Sequence, residues 1–388
     1  MSAPATIHLD NAATARLAPG VGAAMWRVLD GADANPSSAH APGRAAAAAI
    51  DDAAEALARL IGAPPEALVW TSGATESINL ALKGAVGFAG GGHVVSVVTE
   101  HRATLDTLDV LERDGTRVTR LGVDGVGRID LAALEAAIAD EATLVSVMHV
   151  NNETGVIQDI AAIGALCAAR GVPLHVDAAQ SLGREPIDVA ALNIALLSMS
   201  AHKIGGPKGI GALYVRRRPR LGLAAQIHGG GQQGGLRSGT LAGHQIAGFG
   251  AAADHARAVR EAEQPRLAAL RDRLAQRLAA IDGVTRNGSG AHVAAPFLNV
   301  SVAGVHGDAL LTGLTEGVPA LAVASGAACS AAKGQSSYVL RAMGRSPREA
   351  GASVRFSLGA ATDVAAVDAA AARFAEEVAR LRALASAA

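Results

Sequence analysis

Short apolar runs alternate with amphipathic stretches from about residue 66 to residue 215, and no other feature constrains the fold of this chain as strongly. Most of the apolar runs are almost continuously hydrophobic, which is typical of strands buried on both faces. The predicted strands are Leu68–Thr71, His93–Val98, Arg117–Leu121, Thr143–Val150, Pro173–Val176, Ala195–Met199 and Ile210–Val215. The predicted helices are Thr75–Lys83, Ala103–Arg113, Asp130–Asp140 and Asp159–Arg170. This alternation predicts an α/β fold with a mainly parallel sheet, whose ligands bind at the carboxyl ends of the strands.

The pattern changes after Thr240. A long stretch rich in Ala, Arg, Glu and Leu predicts one or two helices up to about Ile281. Further elements are predicted at Phe297–Val302, Ala320–Ala324 and Ser353–Leu358 as strands and near Val367–Ala385 as a helix. We therefore expect a large domain over residues 15–255 and a smaller α+β domain over residues 1–14 and 256–388, which carries a mobile cysteine loop.

Charge and composition exclude several classes of partner. The 34 Lys and Arg residues nearly balance the 35 Asp and Glu residues, so no global field attracts nucleic acid or an anionic membrane. No stretch has the roughly 20 apolar residues that a membrane helix needs. Two cysteines cannot build a disulfide framework, and the N-terminus has no signal-peptide pattern, so we expect a cytoplasmic protein.

Lys203 is the strongest single candidate for chemistry. It follows a buried apolar run and lies among serine, histidine and glycine residues. Burial lowers the pKa of a lysine amine and makes it a nucleophile suited to a Schiff base. On this segment alone, a lysine in an exposed glycine loop is an equally good interpretation.

Asp177 directly follows another buried strand and precedes Lys203 by one strand–connection–strand unit. Pyridoxal phosphate needs such a carboxylate, because an aspartate against the ring nitrogen keeps that nitrogen protonated. The alternative is that Asp177 caps the next helix. Taken together, Asp177 and Lys203 favour the cofactor interpretation.

Two further strand ends carry polar groups. The small-residue turn Thr71–Ser77 offers backbone N–H groups and a helix N-terminus to a phosphate, although it could also be an ordinary helix start. It lacks the patterns of a Walker loop and of a Rossmann nucleotide-binding turn. His101 follows the strand predicted to end at Val98 and could stack on a planar cofactor and relay protons, or could be a structural histidine. Asn152 follows a further strand.

The two cysteines differ in context. Cys329 is flanked by small residues and glycines, which predicts a thiol that can swing into a site, whereas Cys167 lies on the apolar face of a helix and is assigned to the core. Arg355 lies on an otherwise apolar strand, and binding of a substrate carboxylate would explain a costly buried guanidinium. The histidines have no zinc-ligand spacing, so we assign no firm metal site.

Together these segments resemble the fold-type I enzymes that depend on pyridoxal phosphate, within them the class V aminotransferases, and most closely the cysteine desulfurases. The resemblance runs almost end to end, and residues 337–344 favour the long-loop type of iron–sulfur and nitrogen-fixation systems. It is carried by HLDNAAT (residues 8–14), NPSSAH (35–40), TSGATES (71–77), EH (100–101), MHVNNETG (148–155), HVDAAQ (175–180), SAHK (200–203), GPKGIGALYV (206–215), RSGT (237–240), SGAAC (325–329) and VRFSL (354–358).

The resemblance implies a role for each matching residue. Lys203 would bind the cofactor as a Schiff base and move the substrate's α-proton, and Cys329 would take the sulfur of L-cysteine as a persulfide and leave L-alanine. His101 would stack on the ring and take part in proton transfer. Asp177 would contact the ring nitrogen and Gln180 the ring hydroxyl, and Asn152 would lie beside His101. Arg355 and Asn35 would bind the substrate carboxylate. The phosphate would be held by Ala74, Thr75, Ser200, His202 and the second subunit's Thr240.

The same resemblance implies a homodimer and a sulfur-acceptor or iron–sulfur scaffold protein. The chain ends soon after the final helix, without the extended tail that housekeeping members use to bind the scaffold, which leaves the acceptor open. Whether Cys329 also ligates a nascent cluster is open as well. Two alternatives stand beside the desulfurase: another class V aminotransferase or lyase, which would need no Cys329, and a catalytically silent sulfur-transfer partner.

Overall fold

A computed structural model describes residues 6–31, 34–139, 141–325 and 336–387 of the chain. Cys329 and most of the predicted cysteine loop lie outside these residues, as does Asp140. The helices are α1 (Val21–Gly31), α2 (Ala41–Ile61), α3 (Ala74–Ala89), α4 (Arg102–Arg113), α5 (Leu131–Ile138), α6 (Ile160–Ala169), α7 (Gly243–Ala279), α8 (Gly307–Glu316), α9 (Tyr338–Ala342), α10 (Pro347–Gly351) and α11 (Val364–Ala387). The strands are β1 (Ile7–His8), β2 (Leu68–Thr71), β3 (His93–Val97), β4 (Arg117–Leu121), β5 (Leu144–Met148), β6 (Leu174–Asp177), β7 (Ile194–Ser200), β8 (Gly211–Val215), β9 (Val284–Asn287), β10 (Phe297–Val302), β11 (Leu321–Ala322), β12 (Ala324–Ser325) and β13 (Ser353–Ser357).

A seven-stranded sheet in the order β2-β8-β7-β6-β5-β3-β4 forms the centre of the fold. Strand β8 runs antiparallel to both of its neighbours, and the other four pairings are parallel. The predicted α/β fold with a mainly parallel seven-stranded sheet is therefore confirmed. All seven strands predicted between residues 66 and 215 are present, with ends that shift by one or two residues.

Each central strand sends alternate side chains into two separate cores, as the two-residue period of a strand requires. On β5, Val145 and Val147 pack into the core under α2, α5, α6 and α7, while Leu144 packs into the core under α3 and α4. On β7, Leu197 and Leu196 divide in the same way. Helices on both faces explain why these strands have continuous apolar runs rather than alternating ones.

A second sheet, β12-β13-β10-β9, is antiparallel and packs against its own core, and β1 pairs in parallel with β11. The single helix α7 contributes Phe249 to the first core and Leu270 and Leu274 to the second. The predicted domain limit between residues 255 and 256 falls inside this helix, and the proposed domains remain a prediction. The single strand predicted at Ala320–Ala324 is wrong, since β11 and β12 pair with different sheets on either side of Val323.

Within the described residues, no helix combines the length and the apolar character that crossing a membrane requires.

His175 ties three central strands together, and its burial gives the sheet an acid-sensitive point. The ring is fully buried, with Nδ1 2.8 Å from Ser146 Oγ on β5 and Nε2 2.9 Å from Ser198 Oγ on β7. Burial lowers the pKa of His175 to about 3. In the unfolded chain a histidine takes up its proton near pH 6.5, so acid favours unfolding between these two values.

We expect the free energy of unfolding to fall by up to about 4 kcal/mol through this group as the pH drops from about 6.5 to about 3. A His175→Asn variant cannot titrate there and will show a shallower dependence, whereas a variant of the exposed His228 to Asn will match the wild type. Urea unfolding at several pH values measures this. Equal slopes for the wild type and His175→Asn would contradict the assignment.

Candidate active site

Polar side chains from several strand ends meet at the carboxyl edge of the large sheet. Asp177 ends β6, Ser200 ends β7, and His101 is the N-cap of α4, four residues after β3. The charge of Asp177 acts on His101, and the charge of Lys203 acts on both. The structure therefore brings together the three residues that the sequence predicted at separate strand ends.

Lys203 lies in a single 3-10 turn, Ala201–Lys203, directly after β7. Its Nζ donates a hydrogen bond to Ala13 O at 2.9 Å and another to Ala12 O, both in the N-terminal segment. Its own carbonyl accepts a hydrogen bond from Arg184 Nη2 at 3.0 Å. Lys203 is thus half-buried and held from two sides, which does not fit the alternative of a solvated loop lysine.

Asp177 is only 3% exposed. Burial raises the pKa of this carboxyl, while a hydrogen bond from Ala179 N and the charges of His101 and Lys203 lower it. Its Oδ1 accepts that bond at 2.9 Å, so Asp177 does cap the following residues. They form a turn instead of a helix, however, and the cap interpretation alone leaves the buried charge unexplained.

His101 is the N-cap of α4, and its Nδ1 accepts a hydrogen bond from Ala103 N at 3.1 Å. Burial lowers the pKa of His101, Asp177 raises it and Lys203 lowers it again. With burial as the largest of these effects, the ring is neutral at pH 7, which suits a group that accepts a proton.

The predicted phosphate turn lies where β2 leads into α3. Helix α3 begins at Ala74 and has no side-chain cap, so the N–H groups of its first turn, which includes Thr75, have no partner within the helix. A side chain at position 211 of β8 would place its Cβ 2.6 Å from Gly73 Cα, which explains why glycine occupies that position. This helix end combines free donors with a positive dipole and can hold a phosphate.

The other predicted phosphate contacts differ in position. Ser200 is buried at the end of β7, and the His202 Nδ1 lies 3.2 Å from Thr14 Oγ1. Burial, with smaller effects of Lys203 and Lys208, lowers the pKa of His202 to about 4, so that its ring is neutral at pH 7.

Two predicted residues stay outside this cluster. Thr240 and Asn35 are exposed, and neither forms a hydrogen bond to the other site residues in the described part of the chain. Thr240 follows a loop that its own chain holds through the Arg237–Glu76 ion pair, in which Nε and Oε1 are 2.8 Å apart. Both roles remain predictions.

Arg355 is buried on β13 and has two fixed partners. Its Nη2 donates to Asp10 Oδ1 at 2.6 Å and its Nη1 to Asn152 O at 2.8 Å, while Nε has no partner among the described residues. Asn152 Oδ1 is likewise buried without a partner. The ion pair with Asp10 was missed from the sequence, although Asp10 lies within the HLDNAAT motif.

Hydrogen bonds connect Gln180 and Arg184 to each other and to the backbone around Lys203. The Gln180 Nε2 donates to Ala12 O at 2.9 Å, and its Oε1 accepts from Arg184 Nη1 at 2.8 Å. Burial lowers the pKa of Arg184 to about 10. Because Arg184 also bonds Lys203 O, one guanidinium holds the two residues together. No signal in the sequence marks Arg184 beyond its place four positions after the HVDAAQ motif.

These groups fit pyridoxal phosphate. The open helix end suits its phosphate, the buried Asp177 suits a protonated ring nitrogen, and the amine of Lys203 suits its aldehyde. The unpartnered Asn152 Oδ1 and Arg355 Nε are buried polar atoms that a bound ligand would satisfy. No group of three or more potential metal ligands occurs within the described residues.

The family model for class-V aminotransferases matches residues 7–370. The chain belongs to this family. Among the curated relatives, the cysteine desulfurase IscS of Salmonella arizonae is 50% identical over 367 residues, which cover 93% of this chain and 90% of that protein. The cysteine desulfurase IscS of Photorhabdus laumondii is 49% identical and covers 97% of this chain and 94% of its own.

The chain is also similar to solved structures. A NifS-like protein superposes with a TM-score of 0.90 at 30% identity over 97% of this chain and all of its own. SspA in complex with cysteine gives a TM-score of 0.79 at 36% identity over 90% of this chain and 98% of its own. The resemblance to the cysteine desulfurases is therefore confirmed, and the family's fold matches the observed one.

Proposed function

We propose that this chain is a cysteine desulfurase that uses pyridoxal phosphate to convert L-cysteine into L-alanine and a persulfide on Cys329. The observation that carries the proposal is the meeting of Lys203, Asp177 and His101 at one edge of the sheet. Relatives at about half identity that are named cysteine desulfurases support the choice of substrate.

The residues at this edge would hold each part of the cofactor. Its phosphate would bind at the first turn of α3, with Ala74 and Thr75, beside Ser200 and His202. Thr240 of a second copy would complete this contact in a homodimer. Asp177 would pair with the ring nitrogen, Gln180 would bond the ring hydroxyl, and His101 would stack on the ring beside Asn152. When bound, the cofactor supplies an electron sink that stabilises negative charge on the substrate's Cα.

The chain's own groups would handle the substrate and its protons. Lys203 would move the α-proton at its Nζ, and the neutral ring of His101 would accept or return a proton at pH 7. Arg355 would bind the substrate carboxylate through Nε–H, the donor that Asp10 and Asn152 leave free, with Asn35 as a second contact. The ion pair with Asp10 keeps the buried guanidinium compensated before the substrate arrives.

The sulfur transfer balances without an external oxidant. The Cys329 thiolate forms an S–S bond with the substrate sulfur while the Cβ–S bond of the substrate breaks. The electron pair of that bond stays on the carbon fragment, which takes up a proton and leaves as L-alanine. Sulfur is thereby oxidised to the persulfide level and carbon is reduced. The persulfide would pass to a sulfur acceptor or iron–sulfur scaffold protein in the cytoplasm.

Turnover of L-cysteine by the protein loaded with pyridoxal phosphate tests this function. We expect L-alanine and persulfide sulfur to form in equal amounts, since each Cβ–S cleavage gives one of each. A different amino-acid product would favour another class V enzyme, and a loaded protein that leaves L-cysteine unchanged would favour the silent partner. Adding candidate scaffold proteins to the same assay identifies the acceptor.

A further inference from the structure

The chain returns to the described part of the structure at Ser336, seven positions after Cys329, and the next two residues are attached to the site. Ser337 is fully buried, and its Oγ donates a hydrogen bond to Glu153 Oε2 and accepts one from Leu340 N at 3.0 Å. Tyr338 donates its hydroxyl to Glu100 O at 2.6 Å. The adjacent side chains of Ser337 and Tyr338 therefore bind the segments that follow two different strands, β5 and β3.

Both acceptors are direct chain neighbours of proposed site residues. Glu100 precedes His101, and Glu153 follows Asn152. Both glutamates are themselves fixed and buried: Glu100 Oε1 accepts from Met148 N at 2.6 Å, and Glu153 O accepts from Asn299 Nδ2 at 3.0 Å. Burial raises the pKa of Glu153 to about 7, and the hydroxyl of Ser337 acts in the opposite direction.

The chain is also held on the other side of Cys329. Ser325, the last residue of β12, pairs with Val354 of β13, next to Arg355. Cys329 lies four positions after Ser325 and eight positions before Ser337. A fully extended chain of these lengths spans at most about 14 Å and about 29 Å. Attachment at Ser325 and Ser337 therefore sets an upper limit on the distance of position 329 from the site, and a shorter limit means a higher effective concentration of its thiol there.

We propose that Ser337 and Tyr338 are positioning residues for sulfur transfer, because they attach the chain after Cys329 to the Glu153 carboxylate and the Glu100 carbonyl, next to Asn152 and His101. The proposal rests on the proposed function. Neither residue is among those proposed to hold the cofactor or the substrate, so both would act through the placement of Cys329. Loss of either hydrogen bond loosens the attachment that follows Cys329 and lowers the effective concentration of the thiol at the site without altering the groups that bind the amino acid.

Tyr338→Phe tests this, since it removes one hydroxyl and keeps the ring on which the Arg102 guanidinium lies, 6.0 Å from the ring centroid. We expect persulfide formation on Cys329 in a single turnover to slow about 5-fold. Exchange of the α-proton of L-alanine in D₂O, which needs the cofactor and Lys203 but no thiol, should stay within about 2-fold of the wild type. Ser337→Ala should give the same split.

Tyr214→Phe is the matched control, because it removes the chain's only other tyrosine hydroxyl, on β8. It should change neither rate. If both rates fall together in Tyr338→Phe, the residue has only a structural role and the proposal is overturned; unchanged persulfide formation overturns it as well. Failure of the proposed function is distinguishable, since the wild-type protein would then form no persulfide from L-cysteine.

Discussion

Replacing Lys203 with alanine is expected to slow L-alanine formation from L-cysteine by about 10⁴-fold, the largest effect of any single substitution in this chain. The reason is that one amine would both hold the cofactor's aldehyde and move the α-proton, and in the described part of the chain no other lysine directly follows a strand that ends at the site. Hydrogen bonds to the carbonyls of Ala12 and Ala13 and from Arg184 hold this amine and its backbone in place. Alanine release under saturating L-cysteine measures the effect.

The matched control for this prediction is Lys83→Ala, near the middle of α3 and away from the strand ends. It should retain the wild-type rate, and both variants should unfold at similar urea concentrations. Exchange of the α-proton of L-alanine should be lost in Lys203→Ala and kept in Lys83→Ala. Activity of the Lys203 variant within about 10-fold of the wild type would contradict the role assigned to this amine.

Replacing Cys329 with serine is expected to abolish persulfide formation and to slow alanine release by about 10³-fold. A serine hydroxyl is hardly ionised at neutral pH, so it cannot attack the substrate sulfur as a thiolate can. Cys167→Ala should leave both measurements unchanged. Cys167 is buried on α6, and burial raises the pKa of its thiol to about 12, so it carries no thiolate at pH 7.

The two cysteine variants together separate the desulfurase from its alternatives. Cys329→Ser should still exchange the α-proton of L-alanine, because that step uses Lys203 and the cofactor alone. Sulfur release at the normal rate from this variant would show that no protein thiol is needed, as in another lyase of the same fold. Thiol-specific labelling of the persulfide, followed by mass spectrometry, locates the transferred sulfur.

Much of the fold and half of the site could be predicted from local sequence. The mostly apolar runs of β5, β6 and β7 predict buried strands because the helices on both faces leave no solvent-exposed positions in them. Parallel strands end at one edge, so a carboxylate at Asp177 and a histidine at His101 are predicted to lie near each other from their places after strands. The turn that leads from β2 into α3 lies at the same edge, so the helix start at Ala74 could also be predicted to lie near these residues.

Contacts between distant segments could not be predicted in this way. Arg355 and Asp10 are 345 positions apart, and nothing in the local pattern of either indicates an ion pair. The sequence also did not predict that residues 320–324 are divided between two sheets. Periodicity indicates which face of a sheet a side chain takes, but not which strand its own strand pairs with. The same holds for Tyr338, whose hydroxyl reaches Glu100 across 238 positions.

The amino-acid sequence by itself therefore determined the seven strands of the large sheet, the polar residues that follow them and the family whose motifs they match. The tertiary structure alone decided which of these polar groups are already paired and which are left free for a ligand, such as Nε of Arg355 and Oδ1 of Asn152. The physical reason is one of range: side-chain periodicity and turn chemistry act over a few residues, whereas the desolvation and pairing of a buried group depend on every segment packed around it.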